Sequence, residues 1–319
     1  MADDEERDYQ LDAVILRREL LADGFTDSQI QAMVRSGELA RVRHGTYFPG
    51  DVWATLSARD RHRVLVRGVL KRAHPSTVAT HVSAAVERGV PVWGIPLTDV
   101  HVTRTDGKAG RREAGIVHHR GVLDEADVEI VNGIPVSRTA RTAVEITTMT
   151  TVEPALVAVN GMLHAGMMTA QQFAAEVDEC KHWPDTLSAT IVLRLCDARV
   201  QSVAESRTMF LCWDQHLPRP EPQVPIHDET GWTFAYTDFA WEDEGVFLEF
   251  DGRMKYERFR RQGETLEQFL MREKRREEQI CQLTGWVCIR ITWADLEDPV
   301  RTARRIRRVL ESRRRPIGA

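Results

Sequence analysis

The stretch Thr237–Lys255, TDFAWEDEGVFLEFDGRMK, decides how the back of this chain is read. Side chains alternate along a strand with period two, so Val246, Leu248 and Phe250 share one face and Phe247, Glu249 and Asp251 the other. Asp238 follows the apolar run Trp232–Tyr236, and the segment FAWEDEG, acidic and closed by Gly245, reads as the hairpin turn that returns the second strand beside the first. Asp238 then comes near Glu249. Two carboxylates on neighbouring strands suit Mg²⁺ or Mn²⁺: a hard cation of this kind keeps several waters and takes one or two protein carboxylates plus substrate phosphate.

The flanks extend the pattern on both sides. Upstream, VAESRTMFLCW has helical spacing at Val203, Met209, Phe210 and Trp213, with Glu205 in its first turn as a candidate third acid. Gln223, in the PQVPI segment expected to form the first core strand, is a candidate for orienting substrate or water. Downstream, TLEQFLMREKRREEQICQL predicts a helix over 265–283, stopped by Thr284-Gly285, and WVCIRI predicts an apolar strand.

With these elements in place, the region from about Val203 to Leu310 resembles the very-short-patch-repair-like branch of the restriction-endonuclease superfamily, whose signature is written PD-(D/E)XK. Glu205 matches the helical acid, Asp238 in TDFAW the metal aspartate, and Glu249 in LEFDG the second metal ligand; EKRRE followed by TGWVCIRIT matches the closing helix and strand. The resemblance implies an α/β nuclease core and metal-dependent phosphodiester hydrolysis. Asp238 and Glu249 would hold the ion, and Asp251 would bridge to a second. Asp251 stands where the superfamily usually places a lysine that stabilises charge on the transferring phosphate. Lys255 is the first candidate for that cationic role and Arg276 the second.

Composition allows this reading and narrows the rest. The 319 residues are 42% hydrophobic and 29% charged, enough for two or three soluble domains. No apolar run approaches the ~20 residues that span a bilayer. The start MADDEERD has neither the basic nor the apolar part of a signal peptide, so a cytoplasmic protein without membrane contact is expected. The net charge of -5 argues against indiscriminate nucleic-acid binding, yet arginines concentrate at 253–261, 272–276 and in RTARRIRRVLESRRR. Cys180, Cys196, Cys212, Cys281 and Cys288 lack paired spacing and read as buried thiols.

The front reads as a helix-turn-helix: LRRELLA, the turn DGF, then TDSQIQAMVRSGEL, in which Thr26 and Gln29 form a capping-box pattern. ARVRHGTYFPG follows as a short wing with Gly45 near its tip. Ser28, Gln31 and Arg35 would face bases, and Arg41, Arg43 and His44 would touch phosphate or the minor groove. This segment resembles the winged helix of AbiEi-family type IV antitoxins, where a helix ending in GEL is followed by RVRHGTY, and the resemblance implies a DNA-binding regulator.

Between the two lies a mixed α+β region, also similar to the central part of AbiEi-like regulators. Its histidines, His62, His74, His81, His101, His118 and His119, show no H-x-x-x-H or H-x-D spacing and read as structural hydrogen-bonders. His81 with Ser83, and Arg138 with Arg141, are further candidate contacts to nucleic acid. CKHWPDTLSAT breaks the helical pattern. The expectation is thus an α/β multidomain protein with a winged helix over 9–54, an α+β domain over 55–182 and a restriction-endonuclease-like domain over 187–315. Its function would be that of a DNA-binding, Mg²⁺- or Mn²⁺-dependent endonuclease. The rival is a non-enzymatic regulator or antitoxin that keeps the nuclease fold as a binding surface, working with a toxin or defence component. The sequence leaves the oligomeric state open.

Overall fold

The computed structural model describes residues 11–108, 112–251 and 264–314. The chain is mixed α/β and divides into two compact units, residues 1–158 with 171–189, and residues 159–170 with 190–319.

The first unit begins with β1 (Ile15–Leu16), α1 (Arg17–Ala22), α2 (Asp27–Ser36), β2 (Leu39–Arg43) and β3 (Thr46–Pro49), the strands pairing in the order β1-β3-β2. Local chemistry sets the helix ends. The Thr26 hydroxyl accepts from the Gln29 amide, the Gln29 side chain accepts from the Thr26 N–H, and Gly37 closes α2 in the left-handed region at φ 82°. Ile30, Leu20, Leu39 and Tyr47 form a small core beneath it.

After α3 (Gly50–Thr55) and α4 (Ala58–Leu70) come β4 (Thr77–Ala79), α5 (His81–Glu87), β5 (Val100–Arg104), β6 (Arg112–Glu113), β7 (Ile116–His118), β8 (Val128–Val131), β9 (Ile134–Ser137) and α6 (Thr139–Met149). The strands form one mixed sheet, β6-β7-β5-β4-β9-β8. Val66 and Val69 of α4 pack on Val100, Val102 and Val136 of that sheet. Within VATHVSAAVERG, Val78-Ala79 belong to β4, and the helix starts at His81. The β-branched residues of TVA complete the centre of the sheet by pairing with both β5 and β9.

Beneath the sheet chemistry runs a buried ion network. Glu87 accepts two hydrogen bonds from Arg67, at 2.8 and 2.9 Å, and another from Arg63 at 2.9 Å. Burial alone would raise the Glu87 pKa; the two guanidiniums outweigh it and hold the carboxyl below its ordinary value.

α7 (Val152–His164), α8 (Ala170–Glu179) and α9 (Leu187–Leu195) follow, α7 and α9 each contributing to both units. The second unit continues with α10 (Val203–Asp214), β10 (Glu221–His227), β11 (Thr233–Trp241), β12 (Val246–Phe250), α11 (Leu266–Thr284), β13 (Val287–Ile291), α12 (Trp293–Leu296) and α13 (Pro299–Arg314). The sheet order is β10-β11-β12-β13; the first two pairings are antiparallel and the last parallel, with α11 as the crossover. Val224, Ile226, Ala240 and Phe247 form a core with Ile280 of α11. Gly285 ends α11 at φ 69°, as its position after the helical pattern predicts.

The hairpin turn lies later than expected. β11 runs on through Asp238 to Trp241, because Phe239 and Trp241 are buried strand residues, and the reversal takes only Glu242–Gly245. Gly245 occupies the left-handed region at φ 61°, where a Cβ would stand 3.2 Å from the Trp286 ring.

Candidate nuclease-like site

The strand pairing brings the two principal acids together. Phe239 pairs with Leu248, so one step further along the antiparallel ladder Asp238 stands opposite Glu249. Asp238 Oδ2 accepts the Phe250 N–H at 2.7 Å, fixing that carboxylate against the end of β12. Glu249 is buried, and its Oε2 accepts from Arg276 of α11 at 2.9 Å. Burial disfavours the Arg276 charge, but Glu249 and Glu273 more than offset this and raise its pKa.

Asp251 follows the strand. Its N–H donates to the Ile291 carbonyl at 2.8 Å, and its carboxylate lies 3.6 Å from Arg290. Glu249, Asp251 and Arg276 line one cleft of about 310 Å³, together with Glu273, Lys274, Glu277 and Arg290. Arg290 and Lys274 were absent from the sequence-based site. Arg290 was legible in hindsight: the parallel register places it directly beside Glu249, a pairing that becomes visible once WVCIRI is laid against VFLEF. Lys274 lies on the exposed side of α11, and only the cleft itself distinguishes it from the neighbouring charges. Lys255 lies outside the described residues.

Glu205 and Gln223 form a separate contact. Glu205 is tied into the N-terminal cap of α10: its backbone N–H donates to Ser202 Oγ at 3.1 Å, and its carboxylate accepts from Ser202 Oγ at 2.7 Å and from the Gln201 N–H at 2.9 Å. The S-x-x-E spacing of 202–205 carries that signal. Gln223 Nε2 donates to the same carboxylate at 3.3 Å, from a backbone at φ 53°. Its neighbours Pro222 and Val224 pair with Phe239 and Thr237, so Gln223 occupies the β10 position across from Asp238.

Hard oxygen donors in pairs are what Mg²⁺ or Mn²⁺ takes from a protein, and Asp238 with Glu249 fits that donor set. Among the described residues no group of three or more His, Cys, Asp or Glu side chains stands ready to hold a metal ion. The fit therefore rests on two carboxylates, and water and substrate phosphate would have to supply the remaining ligands.

In the first unit, Ser28, Gln31 and Arg35 are all exposed on α2, at spacings that keep them on adjoining turns of one face. Arg41 on β2 and His44 in the turn between β2 and β3 are exposed. Arg43 is committed elsewhere: its guanidinium donates to the Ala114 carbonyl at 2.7 Å and the Gly115 carbonyl at 3.2 Å.

Three of the histidines, His81, His101 and His119, converge in the fold. His101 on β5 and His119 just beyond β7 lie 2.8 Å apart, nitrogen to nitrogen, and the His81 ring stacks on His119 with centroids 3.5 Å apart. The β5–β7 pairing and the start of α5 create this cluster, which no short spacing in the sequence reveals. Burial, then the neighbouring histidines, lower His81 well below the usual range and bring His119 to about 4. His81 itself has φ 54°, and its N–H donates to Glu145 at 2.9 Å. His81 and Ser83 are buried, while Arg141 donates to Asp127 at 2.8 Å and Arg138 donates to the same carboxylate at 3.0 Å. These four suggested contacts are thus engaged inside the unit. Of the cysteines, Cys180 and Cys212 are buried and the others half-buried, and burial pushes the Cys212 thiol up to about 12.

No protein-family model matches the chain. Two Mycobacterium tuberculosis proteins, uncharacterized protein MT2308 of strain CDC 1551 / Oshkosh and uncharacterized protein Rv2248 of strain ATCC 25618 / H37Rv, are similar along nearly their whole length. Each is 27% identical over 294 residues, covering 91% of this chain and 98% of the relative. Among the described residues no helix is long and apolar enough to cross a membrane.

Proposed function

We propose that the second unit is a divalent-metal-dependent endonuclease domain that hydrolyses phosphodiester bonds, and that the winged-helix segment of the first unit directs it to DNA. The observation that carries the reading is the placement of Asp238 across from Glu249 beside a cleft lined by Arg276, Arg290 and Lys274. Asp238 and Glu249 would hold Mg²⁺ or Mn²⁺. The ion would supply Lewis acidity to the scissile phosphate and lower the pKa of the attacking water.

The chain's own residues do the rest. The Phe250 N–H keeps Asp238 Oδ2 turned toward the end of β12, and Arg276 orients Glu249 from α11. Arg290 and Lys274 bring positive charge to the cleft where the phosphate's charge develops, the task left open by Asp251. On α2, Ser28, Gln31 and Arg35 would read base edges, with Arg41 and His44 on phosphates. Tethering the two activities raises the concentration of the cutting domain at bound DNA. The setting would be a cytoplasmic one of defence, mobile elements or repair, with a toxin or defence component as protein partner.

Two contacts favour a second reading, a DNA-binding regulator with a silent nuclease fold: Glu249 is already bonded to Arg276, and Asp251 has Arg290 at 3.6 Å. The deciding experiment is cleavage of plasmid, single-stranded and mismatched DNA with Mg²⁺ or Mn²⁺, using wild type, Asp238→Asn and Glu249→Gln. Metal-dependent cutting lost by at least about a hundredfold in both variants supports the nuclease. No cutting of any substrate, with DNA binding retained, establishes the regulator.

A further inference from the structure

The β10–β11 hairpin reaches beyond the rest of its sheet. β10 pairs with β11 from Glu221–Ala240 to His227–Thr233, whereas β11 pairs with β12 only over Phe239–Trp241. Among the described residues the far half of the hairpin is therefore a two-stranded arm, and it carries exposed aromatic residues. Trp232 is 75% exposed and Tyr236 55% exposed. Phe234 is half-buried and lines a second cleft, of about 680 Å³, with Met271, Arg272, Arg275 and Arg276 of α11.

This surface is ordered and connected to the candidate site. Asp228 Oδ1 accepts the Thr230 and Trp232 N–H groups at 2.8 and 3.1 Å, so the turn holds the backbone beneath Trp232. Tyr236 precedes Asp238 by two residues, hence lies on the same strand face, roughly 6.8 Å along it. The Tyr236 carbonyl accepts from Arg276 at 3.2 Å, the same guanidinium that holds Glu249, and Arg276 lines both clefts. Arg275 is exposed and makes no ion pair among the described residues.

Open aromatic rings beside guanidiniums match a ligand that offers flat π-faces and phosphates together. A duplex hides its base faces in its own stack, whereas an unpaired strand presents them, and base–aromatic stacking beside a cationic groove is how such strands are held. We propose that the β10–β11 arm and α11 bind an unpaired stretch of nucleic acid, its bases stacking on Trp232, Phe234 and Tyr236 and its phosphates meeting Arg275 and Arg276. The inference rests on the nuclease reading, for which it names the substrate class: a single strand, or a frayed or looped region, delivered to Asp238 and Glu249.

The test measures binding apart from cutting. Fluorescence anisotropy of a labelled single-stranded oligonucleotide, an abasic strand of equal length and the matching duplex is followed with the full chain in EDTA. Trp232→Ala and Tyr236→Ala are each expected to weaken single-strand binding on the order of tenfold. Tyr236→Phe should leave it unchanged, the abasic strand should gain nothing from either ring, and duplex affinity should not move. Equal single-strand affinity in wild type and both alanine variants, binding of the duplex alone, or no oligonucleotide binding overturns the inference. Asp238→Asn separates the two failures. If it stops cutting while the alanine variants leave single-strand binding intact, the groove fails and the nuclease stands; if nothing cuts but the rings matter, the reverse holds.

Discussion

Each unit contains a cluster of charged and polar side chains, and the two are built on opposite principles. In the first unit Glu87, Arg63 and Arg67 satisfy one another, and nearby Glu145, Ser137 and His81 form a second closed set. In the second unit Glu249, Asp251 and Arg276 line an open cleft, and the acids sit within one cross-strand step of another acid. A closed network spends its hydrogen-bonding capacity on the fold; an open one keeps like charges together where a ligand can use them. Both clusters are dense in charge, and the cleft is what distinguishes the second.

Mutations should expose this contrast. The largest effect is expected for Glu87→Ala, which removes the shared carboxylate partner of Arg63 and Arg67 on α4, and should lower stability by about 3–5 kcal/mol. Chemical denaturation followed by circular dichroism would measure it. Asp238→Asn should shift stability by less than about 1 kcal/mol, since the amide oxygen still accepts from Phe250 and a like-charge opposition is relieved. The same variant should lose any Mg²⁺-induced rise in Tm that the wild type shows. A loss as large as that of Glu87→Ala would mean that both clusters serve the fold.

Acid should then act on the first unit through its histidines. His81 and His119 have folded pKa values below the ordinary ~6.5, so the unfolded chain takes up protons that the folded chain refuses. Their contribution is present above about 6.5 and is lost as pH falls toward about 4, the folded value of His119. Glu145 works in the other direction: burial raises its pKa, so its contribution is present below the usual carboxylate range and declines as pH rises through its folded value. Urea midpoints between pH 7 and 4 should fall with acid, and less steeply in His119→Gln. The smallest effect is local: Thr26→Ala removes the α2 cap and should cost about 1 kcal/mol, measured by thermal unfolding.

The elements that the sequence revealed are those governed by neighbours in the chain. The α2 cap, the α11 start at Thr265 and the alternation of VFLEF all follow from spacings under five residues. Glu249 and Asp238 were legible for the same reason, because a hairpin pairs residues close in sequence. The turn itself was misplaced, as acidic residues marked it correctly but buried Phe239 and Trp241 kept the strand going. What stayed hidden depends on distant pairing. Arg43 meets Ala114 and Gly115 across more than seventy residues, and three histidines converge only after β5, β7 and α5 assemble.

Gln223 shows this tension at a single residue. Its backbone adopts a left-handed conformation that costs a side-chain-bearing residue roughly 1–2 kcal/mol and glycine almost nothing. A chain choosing for local comfort would place glycine there. Instead it carries an amide that reaches Glu205, so the position is one where conformational preference yields to a tether between the first core strand and the helix before it.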